Sequence, residues 1–185
     1  MQKTLTPSLA ICLVAGLLAV ASQAAEKPVL DAQWRGTVTH VTDGDTLWVR
    51  PATGGKPVRI RIDGVDAPEI CQIHGIAARN ALSARLSNQI VSVQSLNRDS
   101  FGRLLARVTL TAQLAPKVKG SADVGEWLVR EGHAWSYRYR RDNGPYAQQQ
   151  AIARSARKGL FATARHEEPR EFRKRHGACG DAHAK

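Results

Sequence analysis

Residues 34–63 read WRGTVTHVTDGDTLWVRPATGGKPVRIRID, and this stretch contains the clearest strand pattern in the chain. Three runs within it are rich in β-branched residues: 34–42, 46–50 and 58–63. Such runs favour strands, and they are separated by the turn pair Asp43-Gly44 and by the Gly- and Pro-containing segment 53–57. In the third run apolar residues alternate with Arg59, Arg61 and Asp63, so one face points to a core and the other carries charge. The stretch therefore predicts three strands joined by turns.

The rest of the chain adds a helix, two strands and then further helices. The predicted elements are a helix at 72–88, strands at 90–96 and 103–111, an exposed loop at 111–120, a helix at 122–131 capped by Gly132, a strand at 133–139 and a last helix at 145–158. This order of elements predicts a small mixed barrel of five strands. Barrels of this kind are frequent platforms for nucleic-acid binding.

The chain is strongly basic, with 185 residues and a net charge of +11. Lys3 is the only charge before residue 25, and the last twenty residues contribute a net +1, so an excess of +9 belongs to the body of the chain. Such an excess favours polyanions such as nucleic acid through counterion release. A basic protein that adheres to cell envelopes or acidic glycans fits the same composition.

The N-terminus combines Lys3 with a mostly apolar run from Leu9 to Val20 and then small residues. The run is too short to span a bilayer, so it predicts a secretory signal peptide at 1–24 and an exported protein, periplasmic or extracellular. After cleavage we expect an N-terminal linker at 25–33, one folded domain at 34–165 and a mixed-charge C-terminal tail at 166–185, with no stable insertion into a membrane.

Two cysteines remain after removal of the signal peptide, Cys71 and Cys179. In an oxidising compartment such a pair forms either a disulfide or two free thiols, and the spacing does not decide between them. A bridge would tie the C-terminal tail to the loop just after Glu69. A metal site made of His176, Cys179 and His183 is a further alternative, against which the loose spacing of these residues argues.

Two acidic sites have the chemistry of a metal centre. Asp43-Gly-Asp45 by itself is typical of a tight turn. Asp66 follows the strand that holds Arg61, and adjacent strand ends would bring Asp45 and Asp66 to one cation. Oxygen ligands without a nearby His or Cys favour Ca²⁺ or Mg²⁺ over zinc.

Glu69 is the candidate for proton transfer. Pro68 restricts the backbone between Asp66 and Glu69, so the Glu69 carboxylate has a set direction beside the proposed cation. A carboxylate outside the first shell of ligands can orient or deprotonate a water molecule. The alternative is that Glu69 caps the helix that is predicted to start near Gln72.

Arginines next to the acidic sites are candidates for binding a phosphate. Arg59 and Arg61 share one strand face, and Arg61 is preferred because it lies nearer to Asp66. Arg103 follows the turn Asp99-Ser-Phe-Gly and starts a strand. Two guanidinium groups on the non-bridging oxygens would stabilise the charge of a five-coordinate phosphorus. Surface ion pairs with Asp63 or Asp99 are the structural alternative for these arginines.

With these residues, the chain from about Arg35 to Phe161 resembles the thermonuclease family, whose members are similar to staphylococcal nuclease. The motifs follow the family's order: DGDT at 43–46, RIDGVDAPE at 61–69, DSFGR at 99–103 and a Leu-Val-x-x-Gly helix end at 128–132. The resemblance implies an α+β fold, a five-stranded OB-fold β-barrel with about three packed helices at 34–165.

The resemblance also implies a site and an activity. Carried onto this sequence, it makes Asp45, Asp66 and the Ala67 carbonyl the Ca²⁺ ligands, Arg61 and Arg103 the phosphate-binding catalytic arginines, and Glu69 the general base. The implied reaction is Ca²⁺-dependent hydrolysis of DNA and RNA that leaves 3′-phosphate products. The chain departs from the family pattern at Ala67, where Thr is common, at Ser100-Phe101, where the family has Lys-Tyr, and in the register of Tyr137 and Tyr139.

We therefore expect an exported, monomeric, Ca²⁺-dependent nuclease with weak sequence preference that acts on DNA and RNA. One alternative is a non-catalytic OB-fold module that only binds nucleic acid; the presence of Glu69, Arg61 and Arg103 argues against it. The other is a structural protein that adheres to the cell envelope, which high salt would release and calcium would not affect.

Overall fold

A computed structural model describes residues 32–111, 122–138, 142–177 and 179. The predicted signal peptide, all but the last two residues of the predicted linker, and residues 112–120 of the predicted loop lie outside the described residues, as does residue 121. Within the described part of the chain, no helix has the length and apolar character needed to cross a membrane.

Five strands form a closed barrel in the order β1-β2-β3-β6-β5. A two-residue strand, β4, lies outside the barrel. The bounds are β1 Gln33–Val41, β2 Thr46–Pro51, β3 Val58–Ile62, β4 Val65–Asp66, β5 Ile90–Arg98 and β6 Leu104–Leu110. All neighbouring barrel pairs are antiparallel except β3 and β6, which are parallel. The predicted five-stranded α+β barrel is confirmed.

The alternation of residues along the strands determines which side chains fill the barrel interior. Ile60 and Ile62 of β3 are buried, whereas Arg59 and Arg61 between and beside them lie on the other face. In β6 every second residue is buried, from Leu104 through Ala106 and Val108 to Leu110. Because successive side chains of a strand point to opposite faces, the charged members of β3 face the outside of the barrel, where the candidate site lies.

The described residues also form four α-helices and a 3-10 turn. Their bounds are α1 Gly75–Leu86, α2 Val124–Arg130, α3 Ala147–Ser155, the 3-10 turn Gly159–Ala162 and α4 Pro169–His176. The first three correspond to predicted helices. The fourth lies in the tail, where no helix was predicted: it is short and polar, with only Pro169 buried, so it lacks the apolar periodicity by which a helix is recognised.

Helix α1 starts three residues later than predicted. His74 has a φ of 71°, in the left-handed region, and stops the helix from extending toward Gln72. Gly75 is required at the first position because a Cβ there would lie 1.9 Å from the backbone oxygen of Glu69. Residues 69–74 therefore form an irregular loop in place of a first helical turn, and Glu69 is not the helix cap.

The strand predicted at 133–139 is only two residues long, β7 Trp135–Ser136. Among the described residues it pairs with β4, and Asp66 lies opposite Trp135. Pairing ends where β4 ends, and the Ser136 hydroxyl then donates to the backbone oxygen of Asn143. Beyond Arg138, residues 139–141, including Tyr139, lie outside the described residues.

Candidate active site

Asp45 is placed by the turn between β1 and β2. The Asp45 amide donates to the Asp43 carboxylate at 2.9 Å, as expected for an aspartate turn. The turn glycine, Gly44, has no positive φ; it is needed because a Cβ would lie 2.6 Å from that of Ala67 and 2.8 Å from that of Ala78. The DGD sequence thus allows the turn to pack directly on the loop after β4 and on α1.

The Asp45 carboxylate is buried, with 5% of the residue exposed. It accepts hydrogen bonds from the Thr46 hydroxyl at 3.0 Å, from the Ala67 amide at 3.1 Å and from the Arg61 guanidinium. Burial by itself would raise the pKa of Asp45, but the charge of Arg61 and these hydrogen bonds hold it below its usual value. Asp45 is therefore ionised in the folded protein at neutral pH.

Asp66 ends β4 beside Asp45 and is also 5% exposed. Arg61 joins the two acids, since Nη1 contacts Asp45 and Nη2 lies 3.3 Å from Asp66 Oδ1. Burial and the nearby charge of Asp45 raise the pKa of Asp66, and Arg173 and Arg61 oppose this shift. One guanidinium therefore spans both predicted metal ligands, which places them on one site.

Asp43 adds a third carboxyl group that the sequence analysis treated only as a turn residue. Its pKa is raised to about 7, first by burial and then by the charge of Asp45. A cation bound at Asp45 would lower this pKa again, because positive charge favours the ionised form. The sequence signal that could have identified Asp43 as part of the site is its position two residues before Asp45 in the DGD motif.

Glu69 lies in the loop 67–74, close to Asp66. Its carboxylate accepts a hydrogen bond from Arg173 Nη1 at 2.7 Å, and the same nitrogen lies 3.3 Å from Asp66 Oδ1. The Glu69 amide donates to the Gln72 side chain at 3.1 Å. The predicted base and the predicted metal ligand therefore face one another across a single guanidinium.

Arg103 reaches the same site through Thr46. Its Nη1 lies 3.3 Å from the Thr46 hydroxyl, which in turn donates to Asp45. Its Nε donates to Asp99 at 2.7 Å, so the ion pair considered for this residue is present and orients the arginine. Asp63 instead pairs with Arg107 at 3.8 Å, and Arg59 has no contact with the acids among the interactions of the described residues.

The donor set of this site fits a hard cation. Asp45 and Asp66 supply buried carboxylate oxygens, and a positively charged group, Arg61, already bridges them. Among the described residues, no group of three or more His, Cys, Asp and Glu side chains is arranged to hold a metal ion. Because Ca²⁺ takes six to eight oxygens, two carboxylates would need the Ala67 carbonyl, water and substrate oxygens to complete the shell.

A covalent link brings the C-terminal tail to this site. Cys71 and Cys179 form a disulfide with a Cα–Cα distance of 5.9 Å, which excludes Cys179 as a metal ligand. The bridge places α4 over the Glu69 loop, and Arg173 of α4 contacts Asp66 and Glu69. The sequence analysis missed Arg173, although the possible bridge to the loop after Glu69 was the signal that pointed to it. His183 lies outside the described residues.

A cavity of about 460 Å³ opens next to Asp66. One wall comes from β7 and the residues after it, including Tyr137 and Arg138, and the other comes from the start of α4, including Pro169 and Arg170. An ion pair between Arg138 and Glu168 joins the two walls. Tyr137 is thus close to the site.

We expect the double variant Cys71→Ser/Cys179→Ser to unfold more easily than the parent protein. The bridge spans a sequence separation of 108 residues, so its removal restores conformational freedom to the unfolded chain. The expected loss is about 2–4 kcal/mol in the free energy of unfolding, measured with denaturant. Reduction of the parent protein should produce the same loss and leave the variant unchanged; equal stability of all forms would contradict the expectation.

Comparison with known proteins identifies the family of this chain. The family described as "Staphylococcal nuclease homologue" matches residues 59–163. An Escherichia coli protein named ParB is 33% identical over 145 residues, 77% of this chain and 81% of its own length. A Shigella flexneri micrococcal nuclease is 31% identical over 145 residues, with 77% and 82% covered, and an uncharacterized endonuclease of Escherichia coli O157:H7 is 34% identical over 137 residues, with 74% and 83% covered. The chain therefore belongs to the staphylococcal nuclease family.

Proposed function

We propose that this protein is a Ca²⁺-dependent nuclease that hydrolyses DNA and RNA at the site formed by Asp45, Asp66, Glu69, Arg61 and Arg103. Family membership makes the chain a phosphodiester-hydrolysing nuclease that acts on nucleic acid. The observation that supports the assignment of the site is the network of contacts: Arg61 joins Asp45 to Asp66, Arg103 reaches Asp45 through Thr46, and Glu69 lies beside Asp66 across Arg173.

In the proposed mechanism, Asp45, Asp66 and the Ala67 carbonyl hold the cation. Bound Ca²⁺ would supply positive charge that polarises the phosphate and lowers the pKa of nearby water. Both residues are buried, and the Asp45 carboxylate is fixed by the Thr46 hydroxyl and the Ala67 amide, so the protein contributes a preorganised ligand at Asp45. The affinity is expected to be modest because only two carboxylates take part.

The protein side chains then perform the proton transfer and stabilise the charge. Glu69 removes a proton from the attacking water as the new phosphorus–oxygen bond forms. Arg61 and Arg103 donate hydrogen bonds to the phosphate oxygens, whose negative charge grows as the phosphorus becomes five-coordinate. The bond to the 5′ oxygen breaks, solvent protonates the leaving oxygen, and the product keeps a 3′-phosphate.

Export and a monomeric state are also part of the proposal. The N-terminal signal-peptide pattern supports export, and so does the Cys71–Cys179 disulfide, because such bridges persist in oxidising compartments. The excess of positive charge in the body of the chain supports weak sequence preference, since it acts on phosphates and not on bases.

Addition of a calcium chelator to the purified mature protein should abolish hydrolysis, and excess Ca²⁺ should restore it. Single-stranded DNA, duplex DNA and RNA are incubated in parallel, and the cleaved ends are analysed for a 3′-phosphate. Binding of nucleic acid without cleavage in calcium would favour the non-catalytic module, and unchanged rates in chelator would refute the calcium dependence.

A further inference from the structure

The loop that carries Glu69 is held by the C-terminal tail. Residues 67–74 lie between β4 and α1 and form neither strand nor helix. Within the loop, the Gln72 amide donates to the backbone oxygen of Glu69 at 2.8 Å. The Gln72 side chain then donates to the backbone oxygen of Glu167 in the tail at 2.8 Å. The disulfide at Cys71 adds a covalent link to the same segment.

Arg173 is the tail residue that reaches the acidic groups themselves. Its Nη1 donates to Glu69 at 2.7 Å, and its Nη2 lies 3.2 Å from Asp66 Oδ2. About a third of the Arg173 side chain is exposed, whereas neighbouring Lys174 is 58% exposed and pairs only with Glu171. Among the contacts of the described residues, Arg173 is the sole side chain that bonds to the Glu69 carboxylate.

The contact is compatible with two roles for Arg173, and the distances favour one of them. Arg173 either blocks the cation from Asp66 or holds Glu69 in place. The contact with Glu69 is the shortest, and those with Asp66 are about 0.5 Å longer, so a cation at Asp66 would displace the weaker contacts first. Arg61 also contacts the acidic groups and is nevertheless assigned to phosphate binding, so such a contact does not by itself mark a blocking residue.

We propose that Arg173 is a positioning residue for the nuclease reaction: it orients the Glu69 carboxylate, and the disulfide-linked tail brings it there. The proposal rests on the role of Glu69 in the proposed function. It makes α4, which lies beyond the family match at residues 59–163, a part of the active site. Arg173 is suited to this role because its single charge-assisted hydrogen bond from Nη1 fixes the position of one Glu69 oxygen, while both terminal nitrogens lie on the two oxygens of Asp66.

The test compares Arg173→Gln with Lys174→Gln, a matched control that removes the same charge one residue further along α4. At saturating Ca²⁺ we expect Arg173→Gln to lower kcat about 10- to 100-fold with little change in KM, because misplacement of a catalytic group affects the transition state. Lys174→Gln should stay within about twofold of the parent protein, as expected for an exposed residue outside the site. Arg173→Lys should recover part of the rate, since a lysine can still donate to Glu69.

Calcium binding, measured by titration calorimetry without substrate, distinguishes the blocking role of Arg173 from the positioning role. Loss of the positive charge next to Asp66 should leave the Kd unchanged or lower it, so that the fall in kcat is not a loss of metal. A kcat for Arg173→Gln equal to that of the parent protein would overturn the proposal, and a higher kcat would show that Arg173 blocks the site. A weakened Kd that accounts for the loss of rate would overturn it as well.

The same measurements distinguish this proposal from the proposed function. An inactive parent protein in calcium would refute both. An active parent protein with an equally active Arg173→Gln variant would refute only the role of Arg173. Thermal unfolding of each variant checks that the tail still docks. A merely structural effect would lower stability and kcat together, and Arg173→Lys would not restore the rate.

Discussion

Replacement of Glu69 by glutamine should lower kcat about 10²- to 10⁴-fold. Glutamine keeps the size of the side chain, and its amide oxygen can still accept the hydrogen bond from Arg173. It cannot accept a proton from the attacking water. The rate is measured at saturating Ca²⁺ with single-stranded DNA, and the loss should appear in kcat and not in KM.

Binding measurements make this expectation specific to proton transfer. Glu69 bonds to Arg173 and not to Asp45, so the Kd for Ca²⁺ and the affinity for DNA should change little. Glu171→Gln is a suitable control because Glu171 is exposed on α4 and pairs with Lys174. If Glu69→Gln retained the parental rate, Glu69 would have no part in the mechanism.

Replacement of Arg61 by glutamine should affect both catalysis and stability. Loss of one donor to the growing phosphate charge is expected to lower kcat about 10²- to 10³-fold. In the metal-free protein the change also leaves Asp45 and Asp66 buried without the guanidinium that joins them. Breaking such a buried pair lowers the free energy of unfolding by about 3–5 kcal/mol.

Calcium should reverse part of the loss of stability, because the cation replaces the missing positive charge between the two carboxylates. Denaturant unfolding with calcium and with chelator measures this difference. Arg59→Gln is the matched control, since Arg59 lies two residues earlier on the same strand and its Nε has no hydrogen-bond partner among the described residues. Equal stability of Arg61→Gln and Arg59→Gln without calcium would contradict the expectation.

Local sequence patterns were sufficient to predict the barrel. The alternation in β3 predicted which of its residues face the core, and the structure buries Ile60 and Ile62 as expected. The turn residues predicted where the strands end. Such features depend on neighbours within a few positions in the chain, so they can be read without knowledge of distant contacts.

The elements that sequence patterns missed depend on distant partners. Strand β7 is short because β4, its partner, has only two residues. Helix α4 has no apolar stripe, and its position is held by a disulfide and by ion pairs with residues far away in the chain. Arg59 and Arg61 lie on the same face of β3, so spacing alone did not distinguish them; Arg61 was preferred for its proximity to Asp66, and it is Arg61 that contacts the acids.

Motif spacing and strand periodicity are local properties of the chain, so they were enough to predict the barrel, the family and the types of residue at the candidate site. The contact of Arg61 with both Asp45 and Asp66, and that of Arg173 from the tail with Glu69, became known from the three-dimensional structure. These contacts bring together groups separated by 5, 16 and 104 positions, and their existence follows from chain topology and charge in three dimensions.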